Sequence, residues 1–109
     1  MAYDEVLATR IRAWGGDSPG ISERKMFGGV CFMVNGNMFA GVVREDLMAR
    51  VGAPNYEAAL ERPGTRLMEF TGRPMTGMVF VGPQALESED QLSSWLDMCM
   101  TFALTLKAK

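Results

Sequence analysis

Histidine is absent from the sequence, and cysteine occurs only twice. Without histidine there is no Ser–His or Cys–His pair to activate a nucleophile, and the commonest metal-binding side chain is missing. Cys31 and Cys99 lie in apolar segments and form no Cys-x-x-Cys motif, so we expect two reduced, buried thiols. We therefore predict that the protein is not an enzyme and has no catalytic residue, cofactor or metal site.

Long hydrophobic runs and blocks of positive charge are also lacking. No apolar stretch approaches the ~20 residues needed to cross a bilayer, and no basic, hydrophobic leader starts the chain. The net charge is -2, with acids and bases mixed along the chain, so no basic tail indicates a nucleic-acid or lipid partner. We expect a cytoplasmic protein that does not bind membranes.

Methionine is the one residue in clear excess, with ten in a chain of 109 residues. This length fits a single domain, residues 1–109, that buries roughly 65% of its unfolded surface. Hydrophobic residues make up 48% of the chain, which is enough for a core. Methionine side chains adapt to irregular spaces both in cores and at contact surfaces, so the excess is compatible with either role.

Three segments have helical signatures. Apolar residues recur every three or four positions from Tyr3 to Trp14, and Gly15-Gly16 end that helix. A short helix is predicted over Asn55–Arg62, with its asparagine as N-cap and Pro63-Gly64 preventing continuation. The letters SEDQ, from Ser88, form a capping box that starts a third helix, whose apolar stripe runs almost to the end of the chain.

Apolar runs between turn residues predict the strands. Ser22–Phe27 can be a short first strand, Val30–Val34 and Met38–Val43 flank the letters NGN, and Leu47–Val51 is a third or fourth strand. Two more strands are Arg66–Phe70 and Met78–Val81, joined by a polar loop, TGRPMTG. We count the order as helix, three strands, helix, two strands, helix. This order predicts an α+β fold, a two-layer sandwich with helices packed on a mainly antiparallel sheet.

The letters NGN predict a tight hairpin between two of these strands. Asn35 and Gly36 suit the positive backbone angles of a type I′ turn. With that turn, Met33 lies opposite Met38, and Phe32 lies opposite Phe39. A slip to Gly36-Asn37 as the loop would break this pairing.

Both faces of this hairpin are apolar, unlike those of a sheet covered on one side only. The predicted register gives one face Val30, Phe32, Val34, Phe39 and Val43, and the other face Cys31, Met33, Met38, Ala40 and Val42. The two long helices can cover one face, so we predict a homodimer through the other, with Cys31, Met33, Met38 and Val42 as the dimer face. The alternative is that the N-terminal helix crosses over and seals the second face.

Several motifs together resemble a known family. They are RKMFGG from Arg24, NGNMFAGVV from Asn35, and GRPMTGMVFVGPQALESEDQLSSWL from Gly72. In this order and spacing, they resemble the N-terminal domain of the TfoX/Sxy family of bacterial competence regulators over nearly the whole chain. The resemblance implies a two-layer α/β domain, here a stand-alone short member without the family's helical C-terminal domain. It implies no catalytic residues.

Two motifs supply candidate partner-binding residues. Gly28-Gly29 follows a basic pair but opens a strand rather than a helix, so it fits neither a dinucleotide loop nor a P-loop. A turn fixed by Pro74 could present the Arg73 guanidinium to a carboxylate or phosphate. The candidates are Arg24, Lys25, Phe27, Arg73, Pro74 and Met75. Each has a plainer interpretation as a solvated charge, a hairpin connector or a bend between strands.

Two functions of different classes remain open. The first is a non-enzymatic regulatory or adaptor domain that acts through protein contacts at the apolar sheet face and the Arg73 loop. The second is a nucleic-acid-associated transcription or competence factor, in which basic residues converge into one patch: Arg24, Lys25, Arg44, Arg50, Arg66 and Arg73. The acidic total and the lack of an arginine-rich recognition helix favour the first.

Overall fold

A computed structural model describes residues 3–16, 18–26, 28–70 and 73–108, without the side chains of residues 26, 69, 70 and 73–75. It confirms the predicted α+β fold, with helices packed on an antiparallel sheet. Four strands precede the middle helix, one more than the predicted order counted. The elements are α1 (Glu5–Gly15), β1 (Ile21–Met26), β2 (Gly29–Val34), β3 (Asn37–Val43), β4 (Asp46–Arg50), α2 (Tyr56–Leu60), β5 (Thr65–Phe70), β6 (Arg73–Val81) and α3 (Glu89–Ala103).

The six strands form one sheet in the order β1-β2-β3-β4-β6-β5. Every neighbouring pair is antiparallel. β4 pairs with β6 rather than with β5, so β5 lies at the far edge after the chain has passed through α2. The sheet therefore has β1 and β5 as its edges.

Local chemistry fixes the helix ends. The Asp4 carboxylate accepts from the backbone N–H of Val6 and starts α1, and Gly16, with φ of 57°, ends it. Ser88 and Gln91 form the predicted capping box at the start of α3. Asn55 occupies the N-cap position of α2, but its side chain donates to the carbonyl of Val51 instead of capping the helix.

The hairpin between β2 and β3 has the predicted turn. Asn35 and Gly36 both have positive φ, at 52° and 83°, and Met33 lies opposite Met38. The predicted pairing of Phe32 with Phe39 is wrong, because the register shifts there and Phe32 pairs with Ala40. Phe39 is the extra residue of a β-bulge, which reverses the alternation of every β3 side chain beyond it.

All three helices pack on the same face of the sheet. Leu7 and Ile11 from α1, Ala59 from α2 and Trp95 from α3 belong to one buried cluster with side chains of the central strands. The alternative in which the N-terminal helix seals the opposite face is therefore wrong. The main core lies between this helical layer and the sheet.

The β5–β6 hairpin is longer than the sequence indicated. The predicted loop before Met78 is mostly strand, because β6 begins at Arg73, which pairs with Phe70. Pairing of β6 with β4 stops at Met78, so the first part of β6 has a neighbour on one side only. Proline is tolerated in such edge-like positions because its missing N–H is not needed, which accommodates Pro74.

Candidate functional site: the methionine face

The sheet face opposite the helices carries a second cluster of apolar side chains, which we call the methionine face. Its members come from strands β2 to β6, and among the described residues no helix contributes to it. It consists of Cys31, Met33, Met38, Val43, Met48, Met68, Met78 and Phe80. Half of the chain's ten methionines are therefore concentrated on one surface of the sheet.

Burial divides the methionine face into a closed centre and an open rim. Cys31 and Met48 are completely buried, and the exposed fractions of Met68 and Met78 are only 4% and 6%. The other four members are half-buried: Met33, Met38, Val43 and Phe80. The centre is thus part of the folded structure of a single chain, whereas the rim is accessible to solvent or to a partner.

Gly41 explains how the centre closes. A Cβ at this position would lie 2.6 Å from the Met48 Cε and 3.0 Å from the Val30 carbonyl oxygen. The missing side chain leaves a trough across β3, and the Met48 side chain lies in it beside Cys31, which pairs with Gly41 in the neighbouring strand. An unbranched, flexible side chain suits such a narrow space.

Charged groups border the methionine face. Arg66 on β5 forms an ion pair with Asp46 at the start of β4, with 2.5 Å between nitrogen and oxygen. The same guanidinium lies 5.4 Å from the centre of the Phe80 ring, within the range of a cation–π contact. On β1, at the opposite edge of the sheet, Arg24 pairs with Cys31 and therefore shares its face.

Three of the four residues predicted for a dimer face lie on the methionine face. They are Cys31, Met33 and Met38. The fourth, Val42, is fully buried in the core beneath the helices, and Val43 takes its place on the methionine face. The bulge at Phe39 causes this exchange, because one extra residue reverses the side-chain alternation that follows it.

The structure describes the predicted partner-binding residues to different extents. Arg24 and Lys25 are exposed on β1 and point to opposite faces, since Lys25 pairs with Val30 of the main core. Phe27 lies outside the described residues. For Arg73, Pro74 and Met75 the structure describes the backbone at the start of β6 but not the side chains.

The remaining basic residues proposed for a nucleic-acid patch are dispersed. Arg50 donates to the Met38 carbonyl oxygen at 3.2 Å and lies 5.7 Å from the Phe102 ring. Arg66 is engaged with Asp46, and Arg44 lies in the turn between β3 and β4. Because β1 and β5 are opposite edges of the sheet, the cations on these strands do not share one edge.

Sequence reasoning missed five of the eight members of the methionine face, Val43 among them. Met48, Met68, Met78 and Phe80 lie on β4, β5 and β6, and their common surface depends on the order of strands in the sheet. The one sequence signal for them was the alternation within two strands, in which Met48 follows Leu47 and Met78 is two residues from Phe80.

The two thiols are poor nucleophiles. Burial raises the pKa of Cys31, and burial raises the pKa of Cys99 to about 12. Within the described part of the chain, no group of three or more acidic or cysteine side chains could hold a metal ion. In the same residues, no helix combines the length and apolar character needed to cross a membrane.

Comparison with protein families shows to which family the chain is related. Residues 16–103 match the model of the TfoX N-terminal domain. The chain belongs to this family. Comparison with curated proteins and with solved structures found no match.

The matched range of this TfoX N-terminal domain contains the whole methionine face, from Cys31 to Phe80, and all six strands of the sheet. The whole of α1 lies before it. Membership of the family suggests a regulatory, competence-related domain.

Proposed function

We propose that this TfoX N-terminal domain is a non-enzymatic regulatory or adaptor module that acts through protein contacts and pairs with a second copy through the methionine face. The observation that carries the proposal is the placement of all three helices on the other face of the sheet. Raised pKa values of Cys31 and Cys99 and the absence of histidine argue against nucleophilic chemistry.

The rim of the methionine face has the composition of a contact surface. Met33 and Met38 form a cross-strand pair beside the hairpin turn, and both are half-buried. A second apolar surface packed on them would remove the remaining apolar area from water, at about 25 cal/mol per Å². Methionine side chains can adjust to such a surface without movement of the backbone.

A second copy of the chain can cover this surface in a symmetric dimer. Two sheets can pack face to face about 10 Å apart around a two-fold axis that lies between them. When this axis runs along the strands, the β1 edge with Arg24 lies over the partner's β5 edge, where Arg66 is paired with Asp46 of β4. An axis across the strands would instead place each β1 edge over the partner's β1 edge.

Size-exclusion chromatography with light scattering tests the dimer. We expect a mass of about twice 12.0 kDa for the wild type at micromolar concentration and the monomer mass for the double variant Met33→Lys/Met38→Lys, because lysine would place charge in an apolar interface. Leu104→Lys is the matched control, since Leu104 is 57% exposed and lies outside the methionine face. Circular dichroism checks that each variant is folded.

A monomeric wild type, or a folded double variant that remains dimeric, would contradict the proposal.

A nucleic-acid-associated transcription or competence factor is the second candidate, which family membership suggests and the dispersed basic residues do not favour. Fluorescence anisotropy with labelled duplex and single strands tests it, because phosphate contacts must weaken steeply as salt rises. No binding at low salt would contradict that candidate.

A further inference from the structure

A separate pocket lies between the end of α1 and β1, on the helical side of the sheet. Its volume is about 470 Å³, within the usual range for small-molecule sites. Phe32 and Phe39, each only 1% exposed, form its floor, and Ile11 and Ile21 flank it. The pocket does not share a residue with the methionine face.

A fixed ion pair stands at the mouth of the pocket. The Arg12 Nε donates to Glu23 Oε2 at 2.8 Å, and its Nη2 donates to Oε1 at 2.9 Å. Both side chains are about 40% exposed, at 41% and 38%, so they are accessible to a molecule that enters the pocket. The Arg12 guanidinium has five N–H donors, and each Glu23 carboxylate oxygen has two lone pairs. The ion pair can therefore donate further hydrogen bonds to a bound molecule and accept further ones from it.

Gly15 contributes open space to the pocket rather than backbone freedom. It is the last residue of α1 and, unlike Gly16, does not have positive φ. Glycine in a helix costs about 1 kcal/mol relative to alanine, so the helix alone does not favour it here. A Cβ at Gly15 would meet only the Ile21 Cδ1, at 3.2 Å, and a longer side chain would extend into the pocket that both residues line.

We propose that this pocket binds a small, planar, uncharged molecule whose edge carries a hydrogen-bond acceptor next to a donor, as in a carboxamide or a nucleobase. Ile21 and the Gly15-Gly16 backbone offer accessible surface to an apolar planar body, above a floor of Phe32 and Phe39 that is closed to water. The ion pair at the mouth suits an uncharged ligand edge, because the ligand's acceptor can face the Arg12 guanidinium while its donor faces the Glu23 carboxylate. An anion would compete with Glu23 for Arg12, and a cation would compete with Arg12 for Glu23, so each would weaken an existing ion pair.

A titration followed by ¹⁵N NMR tests the pocket with three probes of the same size: benzamide, benzoate and benzylammonium. We expect saturable shifts of the backbone signals of Gly15, Gly16 and Ile21 with benzamide, and binding of both charged probes at least about fivefold weaker. Absence of saturable shifts with benzamide overturns the proposal. Equal or tighter binding of either charged probe overturns the assigned ligand chemistry.

Variants at Gly15 test whether benzamide binds in this pocket. Gly15→Leu places a side chain in the pocket, so benzamide binding should be lost in the folded variant; unchanged binding overturns the site. If this variant does not fold, Gly15→Ala carries the test, because alanine suits the helix better than glycine and its Cβ reaches toward Ile21. Benzamide should bind Gly15→Ala more weakly than the wild type, and equal binding overturns the site.

The variant Arg12→Lys tests the ion pair, because it removes the planar guanidinium. It should reduce the preference for benzamide over benzoate, and an unchanged preference overturns the role of the ion pair.

Discussion

Replacement of Met48 by alanine removes the γ-methylene, the sulfur and the methyl group from the centre of the methionine face. Met48 is completely buried, and its methyl group fills the trough above Gly41. Transfer of these groups to water contributes about 2 kcal/mol. A residual cavity of about 40 Å³ adds about 1 kcal/mol at roughly 24 cal/mol per Å³. We expect the free energy of unfolding to fall by about 3 kcal/mol.

Urea denaturation followed by circular dichroism measures this loss. Met48→Leu keeps most of the volume and should cost less than about 1.5 kcal/mol. Met33→Ala should cost about 1 kcal/mol, because Met33 is already partly exposed in a single chain. Each measurement is made at two protein concentrations, since dimerisation would make the transition depend on concentration. A cost for Met48→Ala no larger than that for Met33→Ala would refute a packed centre of this face.

Two further predictions concern backbone strain and pH. Gly52 has φ of 88°, and a Cβ there would lie 2.3 Å from the Phe102 ring, whereas Gly28 has φ of 74° and open space around it. Gly52→Ala should therefore lower the free energy of unfolding by at least about 2 kcal/mol and Gly28→Ala by about 1 kcal/mol, and equal losses in urea denaturation would contradict the Phe102 contact. The pKa of Cys99 is raised to about 12 in the folded protein, so the unfolded thiol ionises first and stability is lost as pH rises from about 9 towards 12. The urea midpoint should fall more steeply between about pH 8 and about pH 10 in the wild type than in Cys99→Ala; parallel pH profiles of the two proteins would disagree with this assignment.

The β2–β3 hairpin shows what the sequence could predict and where it failed. The Asn35-Gly36 turn was predictable because few residues accept positive φ at both central positions. The bulge at Phe39 was not, since its neighbours are as apolar as the rest of the strand and no local residue marks it. The error in the placement of Val42 follows from that one unmarked residue.

Long-range pairing limited the other predictions in the same way. The segment from Arg73 to Gly77 has the proline and glycine content of a loop, yet it is strand because β5 supplies a partner while β4 has already ended. The methionine face was predicted only where it lies within the hairpin, at Cys31, Met33 and Met38. Its other members depend on strand neighbours that are distant in sequence, which local periodicity does not specify.

The bulge also makes this domain tolerant of the loss of one residue at one point. Loss of a single residue between the hairpin turn and Ala40 would remove the bulge and still leave Phe32 opposite Ala40, so the second half of β3 would keep its orientation. Val42 would stay in the core and Val43 on the opposite surface. A deletion in that short interval should therefore cost only the side chain that is lost, whereas a deletion later in β3 would reverse the alternation of the residues that follow it.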